Sequence, residues 1–343
     1  MPESRPTMQP NRGFERGYTG IGLTYARLPY QPEPAGYAGN DVVILGAPFD
    51  DGVSFRPGTR FGPRAIRQAE DSGAPSERPN MELGIDPFAQ LRVVDGGDID
   101  VTPSNLAASH QALQSAVSQV LAAGASAVVL GGDHSLSTPV LRAIAGRYGP
   151  EGYSVIHFDT HADTGGDGEA PHGVPFSDAV REGTLRGANI MQIGLRGNWP
   201  FPHEFAWMRE QGFHWRTISE VMELGIVAVC REAIAFACER APVTYLTIDI
   251  DVLDPGLAPG TGTPEPGGLL TRELLYAART IASEVDLCVM DLVEVSPPYD
   301  VSDTTAMAGP RVVYEALSGM ALRRSGRPAR PERASPIGPH EVC

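Results

Sequence analysis

The sequence predicts an α/β fold, a three-layer α/β/α sandwich built on a mostly parallel sheet of about eight strands. Two observations predict it. Short, almost continuously apolar runs such as VVILG (42–46), SAVVL (126–130) and YSVIHF (153–158) alternate with longer amphipathic stretches. A strand covered on both faces reads as such a run, whereas a strand with one wet face alternates. In addition, carboxylates and imidazoles follow three of the runs, in GGDH (131–134), DTHAD (159–163) and DID (249–251). Ligand crevices of parallel sheets open at the carboxyl ends of strands, which is where these residues fall.

Taken in order, residues 1–40 are rich in Pro, Gly and Arg and are expected to form an irregular N-terminal arm. Strands are expected at 42–46, 91–94, 126–130, 153–158, 189–194, 213–217, 244–249 and 286–291, with helical patterns at 104–123, 138–147, 219–240 and 271–284. Ser104 and Thr271 are the expected N-caps. The residue three after Thr271 is Leu274, so a capping box is not expected there. No repeat or compositional break interrupts 41–322, which is expected to be one catalytic domain. The tail 323–343 holds five arginines and four prolines and is expected to be disordered.

At 343 residues, with 42% hydrophobic and 20% charged residues, the composition is that of a globular protein. A net charge of −15 argues against nucleic acid or an anionic membrane as partner. It would suit a small cationic substrate, but plain solubility is the weightier reading of such a charge. Cys230, Cys238, Cys288 and Cys343 lack metal-ligand spacing and read as reduced thiols. No secretory signal and no spanning apolar stretch is visible, so a cytoplasmic location is expected.

Alternate residues of a strand share a face, so Asp159, His161 and Asp163 can converge if the chain stays extended, as can Asp249 and Asp251. Collecting that much negative charge at strand ends is unfavourable without a cation. Oxygens mixed with imidazoles suit Mn, Fe, Ni or Zn better than Ca or Mg. Asp159 or Asp249 alone would be read as a turn cap; three clusters after three strands imply a metal. Asp133 lies on the face opposite His134 and is expected to support the turn or a ligand. His157 shares the parity of Asp159 one step deeper, and a buried, hydrogen-bonded histidine is expected there.

The segments SFRPGTRFGPRAIR (54–67), GGDHS (131–135), HFDTHAD (157–163), TIDIDVLDPGLAPGTGTPEPGGL (247–269) and LVEVSPPYD (292–300) together resemble the ureohydrolases, the arginase and agmatinase family. They run in family order from about 41 to 322, closer to agmatinases and guanidino-acid hydrolases than to arginases. The resemblance implies an arginase-like fold and two Mn2+ per subunit, with Ni2+ or Co2+ as substitutes. His134 and Asp163 would hold one ion, His161 and Asp251 the other, and Asp159 and Asp249 would bridge them. A water shared by two such ions loses a proton near neutral pH and becomes the nucleophile. Asp163 would also help to move its proton. His172 matches the histidine that passes a proton to the leaving amine, a task suited to an imidazole pKa. Glu294 matches the carboxylate that pairs with the guanidinium. A homo-oligomer, trimer or hexamer, is also implied.

Arginases carry an aspartate where this chain has Gly197 in GLRGN (194–198), so an amino-acid head group loses a counter-charge. Asp167 and Glu169, between Asp163 and His172, suit an amine tail. Trp199 and Phe201 could line a methylene chain, and Glu265 could face the pocket or solvent. Arg56 and Arg60 could approach a carboxylate tail. Agmatine, cleaved to putrescine and urea as in polyamine metabolism, is the expected substrate. The alternatives are 4-guanidinobutyrate, another guanidino acid or guanidine. A catalytically silent binding paralogue is a further alternative.

Overall fold

The computed structural model describes residues 23–70, 78–166 and 168–326. Residues 1–22 of the arm, Asp167, Cys343 and all but the first four residues of the tail lie outside the described residues. In chain order the elements are β1 (Val42–Gly46), α1 (Gly62–Glu70), α2 (Pro87–Gln90), β2 (Val93–Asp98), α3 (Leu106–Ala122), β3 (Ser126–Leu130), α4 (Ser137–Tyr148), β4 (Tyr153–Phe158) and α5 (Pro175–Glu182). They continue with β5 (Ile190–Leu195), α6 (Pro202–Gln211), β6 (His214–Thr217), α7 (Ile218–Leu224), α8 (Ile226–Arg240), β7 (Val243–Asp249), α9 (Thr271–Glu284), β8 (Leu287–Val293) and α10 (Thr304–Ser325).

The eight strands form one sheet in the order β2-β1-β3-β8-β7-β4-β5-β6, and every neighbouring pair is parallel. Each expected strand is present. Because successive side chains on a strand point to opposite faces, the sheet feeds two cores. Ile44, Val128, Ile156, Leu246 and Met290 pack with residues of α1 and α7–α10. Val43, Val129, Val155, Tyr245 and Val289 pack with residues of α3–α6 on the other face. That is the three-layer α/β/α arrangement.

Several helix ends differ from expectation. Asn105, not Ser104, caps α3, accepting from the Ala108 N–H at 3.1 Å. Thr271 is the first helical residue of α9 rather than its cap. The Glu273 carboxylate accepts from the Leu270 N–H at 2.8 Å, which shifts the capping frame by one residue. The expected helix 219–240 is two helices, because Gly225 takes φ 79°, a left-handed geometry that glycine adopts without strain. The expected pattern also did not single out α10. Its buried residues surround the helix, so no apolar stripe marks it in sequence.

The described part of the arm is irregular and packed down. Tyr25 is fully buried; its hydroxyl donates to the Pro310 carbonyl of α10 at 2.7 Å, and its N–H donates to Asp95 Oδ2 at 2.7 Å. Cys230 and Cys288 are buried free thiols, and burial pushes each up to about 12. No described helix is long and apolar enough to cross a membrane.

Candidate metal centre

Four adjacent central strands, β3, β8, β7 and β4, end at one place, and their last residues and the loops beyond them carry His134, Glu294, Asp249 with Asp251, and Asp159 with His161 and Asp163. The convergence does not come from extended chain, as expected, but from turns. Asp159 Oδ1 accepts the His161 N–H at 2.6 Å, and Asp249 Oδ1 accepts the Asp251 N–H at 2.8 Å. Such turns reverse the chain within two residues of each strand end. Asp163 then takes φ 51° and so leaves the extended path. The turn-cap and metal-site roles therefore coexist, because each aspartate caps with one oxygen and presents the other.

Those second oxygens surround His134. Its Nδ1 lies 3.0 Å from Asp159 Oδ2, 2.9 Å from Asp163 Oδ2 and 3.3 Å from Asp249 Oδ2, buried and with no hydrogen-bond partner of its own. On the other side of Asp159, His161 Nδ1 lies 3.4 Å from Asp159 Oδ1 and 3.2 Å from Asp251 Oδ2. Donors about 2.1 Å from an octahedral ion stand about 3 Å apart along an edge, which is the spacing seen here. Two groups of donors form, His134, His157, Asp159 and Asp163 on one side and Asp159, His161 and Asp251 on the other; Asp159 belongs to both, and Asp249 adjoins the first through His134.

The charges tell the same story. Burial and the neighbouring Asp251 and Asp159 push Asp249 well above the usual carboxylate range, and burial with Asp159 raises Asp251 to about 6. Burial works to lower the His134 pKa, but the facing carboxylates of Asp159, Asp163 and Asp249 outweigh it and raise it well above the ordinary histidine value. These shifts record an excess of buried negative charge, which dications held by the same donors would balance.

His157 does not present a free nitrogen. Its Nε2 lies 2.8 Å from Asp159 Oδ2 and its Nδ1 lies 3.1 Å from Gln192 Nε2, so this fully buried ring holds Asp159. Asp133 turns away to accept the Gly52 N–H at 2.8 Å and the Ser135 N–H at 2.9 Å; burial, then Glu294, raises it to about 7. Thr247, which was not singled out in sequence, sits 3.0 Å from His134 Nε2 and so orients the ring. A lone threonine in a β-strand carries no signal for that role.

Glu294, at the end of β8, is buried with φ 63°. Its Oε1 accepts the His134 N–H at 3.0 Å and faces His172 Nδ1 at 3.1 Å, while its Oε2 is buried without any partner. His172 Nε2 meets the Ser54 N–H at 3.0 Å and the Ser54 hydroxyl at 2.8 Å. The ring can accept from Ser54 when neutral and donate to its hydroxyl when charged. Burial lowers the His172 pKa, but Glu294 first, then Asp163 and Asp133, outweigh it and lift it to about 8.

Residues 40–319 match the family model described as "Arginase family". The chain belongs to the arginase family. It is 40% identical over 297 residues to the proclavaminate amidinohydrolase of Streptomyces clavuligerus, covering 86% of this chain and 91% of that one. It is 39% identical over 315 residues to the guanidinobutyrase of Pseudomonas aeruginosa, covering 90% and 95%. A crystal structure described as a hypothetical agmatinase from Burkholderia thailandensis superposes with a TM-score of 0.81 at 34% identity, covering 94% and 96%. This arginase-family chain is an amidinohydrolase, a hydrolase acting on guanidino or amidino C–N bonds. Proteins of the family use a binuclear metal site, and the His/Asp cluster fits one.

Around this arginase-family site the expected tail-binding residues separate. Arg60 is tied to the buried Asp50 carboxylate and is not free for a ligand. Arg56 lies over the rings of Phe55 (5.2 Å) and Tyr299 (5.3 Å), with no carboxylate ion pair among the described residues. Glu265 does not simply face solvent. It is half-buried, and a Cβ at Gly197 would stand 2.9 Å from its carboxyl carbon. A carboxylate thus occupies the place that Gly197 left open, carried on another loop. Trp199 is half-buried with its ring 6.2 Å from that of His161, whereas Phe201 is half-exposed. Glu169 is half-buried beside Gly165; burial, then Glu204, raises its pKa.

Proposed function

We propose that residues 41–322 form the catalytic unit of a binuclear amidinohydrolase that cleaves agmatine to putrescine and urea. His134 and Asp163 would hold one ion, His161 and Asp251 the second, and Asp159 and Asp249 both, with Mn2+ the expected metal and Ni2+ or Co2+ substitutes. When bound, the ions supply Lewis acidity and a water made nucleophilic near neutral pH.

The observation that carries this proposal is the unpartnered, buried Oε2 of Glu294. A buried carboxylate oxygen without a donor is unfavourable by a few kcal/mol, about 1–3 or more, and a guanidinium N–H removes that penalty. With Oε1 held by His134 and His172, the free oxygen fixes the plane of the cation. Asp163 takes up the proton of the attacking water. His172, bonded to Glu294 through Nδ1, delivers a proton to the leaving nitrogen. Guanidinium and water then become urea and an alkylammonium ion, with charge balanced. The half-buried acids Glu265, against Gly197, and Glu169, against Gly165, suit the ammonium tail of agmatine.

A guanidino acid is the second candidate, favoured by the Arg56 guanidinium, which has no carboxylate ion pair among the described residues, and by the name of the guanidinobutyrase relative. Urea release from agmatine, arginine, 4-guanidinobutyrate, 3-guanidinopropionate and guanidine after manganese loading decides between them. Turnover of agmatine far below that of a guanidino acid overturns the first choice. A cytoplasmic homo-oligomer is part of the same proposal, and size-exclusion chromatography with light scattering tests the assembly.

A further inference from the structure

Within β5 the chain bulges at Gly194, whose φ of 112° and missing side chain let it approach the Asp159 carbonyl; a Cβ there would stand 2.8 Å from that oxygen. Two residues later comes Arg196. Its N–H donates to the Thr160 carbonyl at 3.0 Å, between Asp159 and His161. Its guanidinium is half-buried and reaches six backbone carbonyls. Three are consecutive: Asp251 at 2.8 Å, Val252 at 3.2 Å and Leu253 at 3.2 Å. The others are Gly194 at 3.4 Å, Glu265 at 2.7 Å and Pro266 at 3.2 Å. Its hydrogen bonds all go to backbone, while the Asp251 and Asp159 carboxylates act on it only through space. One residue thereby joins the loop of Asp159 and His161 to the loop of Asp251, and both to the 265–266 wall.

We propose that Arg196 is a positioning residue for the His161–Asp159–Asp251 half of the metal centre, acting through backbone carbonyls rather than through charge. The proposal rests on the two-ion reading. Its logic is geometric: Asp251 sits in a short turn after β7, and its carbonyl, with the next two, is pinned by a rigid fork that no other side chain reproduces. Gly268 closes the same junction: a Cβ there would meet the Leu253–Asp254 backbone at 2.4 and 2.5 Å and Arg196 Nη2 at 2.6 Å. The His134–Asp163 half has no bond to Arg196 and serves as the internal control.

The test is a manganese titration of wild-type protein, Arg196→Lys and Arg196→Met, followed by chelator competition and by the electron paramagnetic resonance signature of a coupled Mn2+ pair. Lysine keeps the charge and the stem but not the fork, and it is the variant expected to fold. In both variants the first ion should bind as in wild type. The second should bind about 10–100-fold more weakly, the size typical of lost ligand support, with loss of the coupled signal. Equal weakening of both steps, no weakening, or a lysine variant matching wild type overturns the proposal, the last by showing that charge alone matters. A wild-type protein that takes up fewer than two ions overturns the two-ion reading and, with it, this role.

Discussion

The backbone N–H of His134 donates to Glu294 Oε1 at 3.0 Å, joining the loop after β3 to the end of β8. The same oxygen faces His172 Nδ1. One carboxylate oxygen therefore organises two histidines, and the other is buried without a partner.

Replacing Glu294 by Gln keeps an acceptor for both bonds and removes the charge. Metal content should stay at the wild-type level while kcat/KM for a guanidino substrate falls by about 100-fold or more, equivalent to about 3 kcal/mol for an unpaired buried cation. Steady-state kinetics beside metal analysis check this.

Glu265→Gln probes the carboxylate against Gly197. If it reads an ammonium tail, KM for agmatine should rise about tenfold with little change in kcat, and hydrolysis of guanidine, which has no tail, should be unchanged. An equal change for both substrates assigns Glu265 to loop structure only.

His157 holds Asp159 without facing an ion. His157→Phe should fold, since the ring already packs 4.5 Å from that of Phe176, yet weaken metal binding by about 10–100-fold. Chelator competition reads the effect. Wild-type affinity would show that Asp159 needs no such support.

The pH dependence of the metal-free protein follows from His172. Its folded pKa of about 8 lies above the ordinary 6.5, so the charged ring stabilises the fold. That contribution, up to about 2 kcal/mol, is complete below about pH 6.5 and is lost as pH rises through about 8. Thermal midpoints of wild type and His172→Asn should therefore differ at pH 6 and converge by pH 9.

Gly132 crosses the chain after β1: a Cβ would lie 1.9 Å from the Phe49 carbonyl. Gly132→Ala must push the loops after β1 and β3 apart, with an expected loss of about 3 kcal/mol or more, read by denaturant unfolding.

What could be read from the sequence was whatever local pattern enforces. A strand buried on both faces must be apolar throughout, so all eight strands stood out, and the clusters after β3, β4 and β7 stood out because charge at buried strand ends needs a counter-ion. Arg196 and Thr247 gave no such signal, since their partners lie far away in the chain and are mostly backbone oxygens. The tertiary structure decided how the donors converge. Parity suggested extended strands, but a carboxylate oxygen gains more by accepting the N–H two residues on, and the resulting turns aim its second oxygen inward. It also decided which charges are free. Arg60 is neutralised by Asp50, Glu265 fills the space at Gly197, and Glu294, beside His134 and His172, keeps one buried oxygen unpartnered. Those assignments depend on distances across the strand order β3-β8-β7-β4, and no local pattern encodes an order of that kind.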